Sequence, residues 1–310
     1  MIRRSRGTTV TTSVTNAAVR VGFYDVEAES GLPRGLFESM LGDIEGQVAQ
    51  ALTRIDEQPW PPSDDDRLTL ALFMALQMVR TPEHRFMFEE MADVQLKSQL
   101  AGLSRDQVRD WLAEEGFEAT EEAVDEQVRV LREDLDDYRM TTGQGFMWGM
   151  LLTDVAPRLA AVMVEGFDWH LMASDRRLLA TSDHPLLLWT DHPNRFMGVG
   201  IGTADALVLP LDSRKLLLLT KDRMGVSTEI PLARFMAKGT NGYLLGHSYE
   251  WVFHDPRISP FDPDDLAPHR RAAFTINGKE VREPGDAWKV FSDVFYKTQD
   301  AYFGDSAEEE

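Results

Sequence analysis

The chain has 310 residues, 43% of them hydrophobic, and its 52 acidic and 32 basic residues give a formal net charge of −20 at pH 7. A field of this sign repels nucleic-acid backbones and anionic membranes, so we expect no general nucleic-acid binding and no membrane association. Because the sequence contains no cysteine, disulfides, thiolate metal sites and a cysteine nucleophile are excluded.

The N-terminal region has neither a signal core nor a helical period. Met1–Arg6 leads into Thr-rich sequence, and no window of the chain has the roughly eighteen uninterrupted apolar residues of a membrane span. We therefore expect a soluble, cytoplasmic protein. Residues 1–32 have β-type composition, so we expect an irregular or β-like segment there, truncated at its start.

The first half of the chain is predicted to be helical. Apolar residues recur every three to four positions from Pro33 to Ile55, which is the spacing of one helix face. Ser63 and the aspartates after it favour the start of a second helix, whose apolar body, Leu68–Val79, is predicted to be buried. Further helices are predicted over 83–103, 104–115, 120–136 and 143–167, the last kinked or broken by Pro157.

The pattern changes after residue 168 to short apolar runs separated by turn residues. Such runs indicate a sheet of four or five strands. The predicted strands are Trp169–Ala173, Leu178–Thr181, Leu186–Thr190, Ala206–Pro210 and Leu216–Thr220. Residues 231–249 are predicted as two helical pieces around Gly239–Gly242, Asn277-Gly278 predicts a hairpin turn, and 286–302 predicts a last amphipathic helix.

These elements predict an α+β fold. A helix-rich N-terminal half packs on a small, mainly antiparallel sheet from the middle of the chain, with further C-terminal helices. No Gly/Ser-rich or Pro-rich linker divides the chain, so residues 33–303 are predicted to form a single domain, followed by an acidic tail at 304–310.

The stretch Leu178–Trp189 is an apolar run interrupted by a polar turn. Pro185 fixes its own φ and disfavours helical geometry at His184. Ser182 and Asp183 can accept hydrogen bonds from nearby backbone N–H groups. The stretch therefore predicts strand, turn, strand, with the polar turn at the end of a buried sheet.

Arg80 ends an almost entirely apolar helix, so its guanidinium needs a carboxylate or an anionic ligand as partner. Asp183 is the obvious carboxylate. In a structural interpretation the two side chains form a buried ion pair that ties the central helix to the sheet. In a functional interpretation Gln77 and Arg80 clamp a phosphate or carboxylate, and Asp183 acts as a base or metal ligand.

Other catalytic chemistry has weaker signals. Asp-His-Pro occurs at 183–185 and 191–193, and two such turns could coordinate a divalent metal. The spacing fits no metal motif and these are ordinary turn residues, so we predict no metal site. Ser182 is the nearest candidate nucleophile, with Asp183 and His184 as further catalytic candidates, although the chain has no Gly-x-Ser-x-Gly elbow.

Four segments together resemble the bacterial and fungal family catalogued as domain of unknown function 4238, over about Gly22 to His254. They are Gln77-Met-Val-Arg80-Thr81-Pro82, Thr181-Ser182-Asp183-His184-Pro185, Pro210-Leu-Asp-Ser213 and Asn241. The family opens with a His-His-x-x-Pro-x-x-Leu segment that this chain lacks, so the resemblance implies either truncation or loss of that element.

The resemblance implies no reaction. It implies that Gln77, Arg80, Ser182, Asp183 and Asn241 match recurring polar positions, of which Gln77, Arg80 and Asn241 are the ligand-binding candidates. We predict a small-ligand-binding or interaction domain with a buried Arg–Asp polar centre. The alternative is a hydrolase-like enzyme acting on a small anionic or phosphorylated substrate. The sequence identifies no cofactor and no oligomeric state.

Overall fold

The computed structural model describes residues 35–192, 199–221, 227–261, 271–276 and 278–292, together with 2–3, 8–9, 11, 24, 31–33 and 265. Its helices and strands confirm the predicted α+β class. The chain divides into two compact units, one formed by Met1–His84 with Gly143–Arg271 and the other by Arg85–Thr142 with Ala272–Glu310. The single domain expected over 33–303 stays a prediction.

Helices dominate the first half of the chain, as predicted. The described helices are α1 (Leu36–Glu57), α2 (Asp64–Val79), α3 (Pro82–Ala101), α4 (Arg105–Glu114), α5 (Glu121–Glu133), α6 (Gln144–Met150), α7 (Ala156–Gly166) and α8 (Arg234–His247). The cap predicted at Ser63 is present, because its hydroxyl accepts a backbone N–H of the first turn, and Ser104 and Thr120 cap α4 and α5 in the same way. The helix α1 begins at Leu36, after Gly35, and not at Pro33, where the predicted apolar spacing starts.

The predicted irregularity at Pro157 takes the form of a π-helical turn, Leu151–Val155, between α6 and α7. Proline has no N–H to donate and its ring crowds the carbonyl four residues earlier, and one wider turn accommodates both effects. By length and composition the stretch Gln144–Gly166 could span a membrane. The core helix of a soluble protein passes the same test.

Strands follow in the second half of the chain. They are β1 (Ile2–Arg3), β2 (Thr8–Thr9), β3 (Asp168–Ala173), β4 (Ala180–Ser182), β5 (Leu187–Trp189), β6 (Ala206–Pro210), β7 (Lys215–Thr220), β8 (Thr228–Pro231), β9 (Trp251–His254), β10 (Phe274–Ile276) and β11 (Lys279–Val281). One sheet has the order β5-β6-β7-β3-β8 and is antiparallel except for the β3–β8 pair.

The strand at residues 178–181 was wrongly placed in that sheet. It forms as β4 at Ala180–Ser182 and pairs with β9 in a separate sheet of order β2-β1-β9-β4. The turn at 183–186 therefore passes from one sheet to another. The strand preference was read correctly from local sequence, but the pairing partner lies some seventy residues away, between Trp251 and His254.

Residues 231–249 were wrongly predicted as two helical pieces. Pro231 ends β8, and α8 runs without a break through Gly239 and Gly242. Each glycine costs about 1 kcal/mol relative to alanine in a helix interior. The buried face of α8, with Ala237, Asn241, Leu244 and Leu245, supplies packing that offsets this cost.

The buried centre of the first unit surrounds β3 and α7. Trp169 on β3 is fully buried and its indole N–H donates to the carbonyl of Met163, 3.1 Å away. Leu217 and Leu219 of the neighbouring strand β7 are also fully buried. On the other side, Met172, Leu216 and Ala237 pack together, which places α8 against the sheet and beside β4.

The second unit contains an apolar cluster with charged residues inside it. Trp288 packs with Val94 of α3 and Leu135, and Lys97 forms an ion pair of 3.1 Å with Asp93 although neither side chain is more than 2% exposed. Glu90, also fully buried, accepts the N–H groups of Gly285 and Ala287 at the start of the helical residues 286–292. Asn277, residues 293–302 and the acidic tail lie outside the described residues.

Candidate functional site

Polar residues cluster where α2 ends and α3 begins. Arg80 is the C-terminal cap of α2, and its guanidinium donates to Oε1 of Gln77 at 2.7 and 3.2 Å. It also forms an ion pair of 3.0 Å with Glu45 of α1. These contacts hold α2 against α1 and give the guanidinium a structural role.

The predicted ion pair between Arg80 and Asp183 is wrong. Arg80 is partly exposed and is neutralised by Glu45, while Asp183 binds backbone N–H groups. The error has a physical origin. The sequence shows that a cation closing an apolar helix needs a partner, but Glu45 lies on another helix and only the packing of α1 on α2 brings it close.

Asp183 holds the segment after α8 in place. Its carboxylate accepts the N–H groups of Tyr249, Glu250 and Trp251 at 2.9, 2.6 and 2.9 Å, and its own N–H donates to the carbonyl of Trp251. Burial raises the pKa of Asp183, and the N–H donors oppose this effect. This carboxylate stabilises the entry into β9.

Ser182 forms a local turn with His184. Its hydroxyl donates to the carbonyl of His184 at 2.8 Å and accepts the N–H of the same residue at 3.1 Å. The hydrogen that a nucleophilic serine would give to a base is therefore already bonded to a backbone oxygen. As a catalytic nucleophile Ser182 stays a prediction.

Asn241 joins α8 to the strand that leads into the turn. Its Oδ1 accepts the N–H of Ala180 at 2.9 Å, and its Nδ2 donates to the carbonyl of Leu178 at 2.8 Å. The side chain thus completes the backbone hydrogen bonding of an edge strand in a position that is 2% exposed. Its position in the sequence gave no indication of this role.

His184 keeps one ring nitrogen without a protein partner among the described residues. Its Nδ1 lies 3.3 Å from the carbonyl of His247, which can only accept, so Nδ1 carries the hydrogen and Nε2 carries a lone pair. Burial lowers the pKa of His184 to about 4, and the ring is neutral at pH 7. It stacks on the Tyr249 ring with a centroid distance of 5.6 Å.

His84, in the first turn of α3, repeats this arrangement. Thr81 Oγ1 donates to the carbonyl of Met78 and therefore accepts both the N–H of His84 and its Nδ1–H, at 3.2 and 2.9 Å. The Nε2 of His84 again carries a lone pair with no partner among the described residues. Burial lowers its pKa, so this ring is also neutral at pH 7.

Glu83 lies beside these two histidines and was not recognised as a candidate from the sequence. Its Oε2 accepts the hydroxyl hydrogen of Tyr249 at 2.7 Å. Its negative charge raises the pKa values of both His84 and His184 against the larger effect of burial. The available signal was its place immediately after Arg80-Thr81-Pro82, the motif that carried the resemblance.

The two Asp-His-Pro turns of the sequence carry residue types that could coordinate a divalent metal. In the part of the chain that the structure describes, no group of three or more His, Asp or Glu side chains is placed to hold a metal ion. Asp191 and His192 occupy an exposed turn whose backbone N–H at Asp191 donates to Asp205. Pro193 lies outside the described residues.

Comparison with known proteins gives one match. A family model described as Protein of unknown function (DUF4238) matches residues 2–257 and includes all the polar positions described above. No curated protein and no solved structure matches the chain.

Proposed function

The chain belongs to the DUF4238 family, whose description names no reaction, and we propose from the geometry that it is a small-ligand-binding domain with its site at the junction of α2, α3 and the 183–186 turn. The observation that carries this proposal is the pair of neutral imidazoles, His84 and His184, each oriented through Nδ1 with an Nε2 lone pair left over. Both residues are partly exposed.

The other polar residues form the frame of this site. Asp183 fixes the segment 249–251, Asn241 fixes the strand before the turn, and Arg80 fixes α2 against α1. A rigid frame that keeps a few polar groups oriented is what recognition of a small molecule requires.

The alternative, a hydrolase-like enzyme acting on a small anionic or phosphorylated substrate, has less support. It needs a cation to hold the anion and an activated nucleophile. Arg80 is already neutralised by Glu45, and the Ser182 hydroxyl is bonded within its own turn. Such a ligand would have to displace Glu45 from the guanidinium.

The test is a screen of small polar metabolites for binding. NMR at pH 7 on protein with isotope-labelled histidines is the readout. We expect a binding metabolite to shift the Nε2 resonances of His84 and His184 together, because both lone pairs accept hydrogen bonds from it. His254, whose Nδ1 bonds the carbonyl of Asp255, is the internal reference and should not shift.

Two outcomes would contradict the proposal. If a metabolite binds without shifting either histidine, and Arg80→Ala removes the binding, the anionic-ligand alternative is correct. If the spectra show the metabolite being converted to product, the protein is an enzyme and not a binding domain.

A further inference from the structure

At this site the hydroxyl groups of the protein already donate their hydrogens to other protein atoms, whereas the Nε2 acceptors of the two imidazoles have no partner among the described residues. The hydroxyl of Thr81 donates to Met78, that of Ser182 to His184, and that of Tyr249 to Glu83. A ligand that only accepts hydrogen bonds, as a carboxylate or phosphate does, finds none of these hydrogens available.

The second ring nitrogen of each imidazole, Nε2, carries a lone pair. Nδ1–H of His184 is bonded to the carbonyl of His247, and Nδ1–H of His84 is bonded to Thr81. Each Nε2 can therefore only accept a hydrogen bond. The complementary ligand must bring its own N–H or O–H donors, because each lone pair that loses water on binding needs a replacement donor.

Glu83 supplies negative charge at both imidazoles. Both imidazoles are neutral at pH 7, whereas Glu83 brings a negative charge close enough to act on both rings. The nearby guanidinium of Arg80 is balanced by Glu45. The whole chain, at −20, adds a field that attracts cations.

We propose that the ligand is a small organic cation with N–H donors, of the primary ammonium class, bound by the Nε2 atoms of His84 and His184 and attracted by Glu83. This inference rests on the proposed function, since it names the ligand class for the same site. An ammonium group has three donors and no acceptor, which matches a site of lone pairs and one carboxylate.

The experiment compares three probes of similar size and different head group, n-butylammonium, 1-butanol and butyrate, at equal ionic strength. The readout is the Nε2 resonances of His84 and His184, with His254 as reference. We expect n-butylammonium to bind most tightly, 1-butanol more weakly, and butyrate not at all.

A charge-removing variant separates attraction by Glu83 from general binding. Glu83→Gln keeps an oxygen that can accept the Tyr249 hydroxyl, so the fold should be retained, and we expect about tenfold weaker binding of n-butylammonium, the loss typical of one favourable contact. The matched control is Glu229→Gln, which removes an exposed carboxylate on β8. It should leave the affinity unchanged.

The outcomes distinguish the two proposals. If butyrate binds more tightly than n-butylammonium, the proposal of a cationic ligand is wrong, and the proposal of a ligand-binding site at this position stands. Equal binding of 1-butanol and n-butylammonium also overturns it, because charge then contributes nothing. If no probe shifts either histidine, and the metabolite screen also fails, the proposed function itself is wrong.

Discussion

The carboxylate of Asp183 accepts three backbone hydrogen bonds, and its removal should be costly. We expect Asp183→Ala to lower the free energy of unfolding by roughly 2–4 kcal/mol, because three backbone N–H groups lose their acceptor while water can reach part of the site. Urea unfolding measures the change. Asp191→Ala, in the exposed second Asp-His-Pro turn, is the matched control and should stay within about 0.5 kcal/mol of wild type.

A small effect of Asp183→Ala, equal to that of the control, would mean that segment 249–251 is held by other contacts. The same pair of variants therefore also tests why the sequence interpretation failed. The sequence predicts either a structural or a functional role for the carboxylate in this turn. Its partners could not be identified, because backbone N–H groups exist at every position and carry no sequence signal.

His184 should make the stability depend on pH. Its pKa is about 4 in the fold and near 6.5 in an unfolded chain, so the unfolded state binds more protons between these values. The contribution is fully present above pH 6.5 and is lost as pH falls toward 4, by at most roughly 3 kcal/mol. Urea midpoints of wild type and His184→Gln over this window provide the measurement.

We expect the variant to show a shallower loss of stability than wild type. His84, whose pKa burial also lowers, contributes in the same direction in both proteins. The raised pKa of Asp183 acts with the opposite sign, because stability from a raised carboxyl pKa is lost as pH rises through that pKa. Identical slopes in the two proteins would show that His184 is not desolvated.

At the scale of elements, Asn241 is the contact that places α8 beside β4. We expect Asn241→Ala to lower the free energy of unfolding by roughly 2–4 kcal/mol, because the N–H of Ala180 and the carbonyl of Leu178 lose their partner in a buried position. Lys238→Ala, on the exposed side of the same helix, should have almost no effect. Thermal unfolding of both variants checks this, and equal melting temperatures would contradict it.

Local signals in the sequence predicted the elements well. Helix starts and helix faces can be predicted because they depend only on neighbouring positions. The signals are the apolar spacing of three to four residues and the hydroxyl caps at Ser63, Ser104 and Thr120. The irregularity at Pro157 was predicted for the same reason, although its form as a π-helical turn was not.

Interactions between elements that are distant in the sequence could not be predicted from it. The pairing of β4 with β9 joins residues some seventy positions apart, and a four-residue strand has too few side chains for a clear alternating pattern. The candidate site depends on the same kind of placement. Glu83 and Tyr249 are 166 positions apart, and only the fold shows that they share a hydrogen bond.

At the scale of the whole molecule, the net charge of the chain and the charge of Glu83 at the candidate site are both negative. A chain at −20 repels itself as well as other anions, and salt screens that repulsion over about 10 Å at 0.1 M. If the ligand is a cation, its binding should therefore weaken as salt is added. Adding sodium chloride to the n-butylammonium titration measures this, and affinity that does not change with salt would argue against long-range attraction.

We expect the two compact units of the chain to unfold together. Lys97→Met leaves Asp93 fully buried without its cation, and we expect a loss of about 3–5 kcal/mol in the second unit. Because α3 contributes residues to both units, we expect this variant and Asp183→Ala to lower the same single calorimetric transition. Lys97→Met combined with Asp93→Leu should recover much of the loss, since an apolar pair carries no desolvation cost. Two separate transitions, each lowered by only one variant, would instead divide the chain into two independent domains.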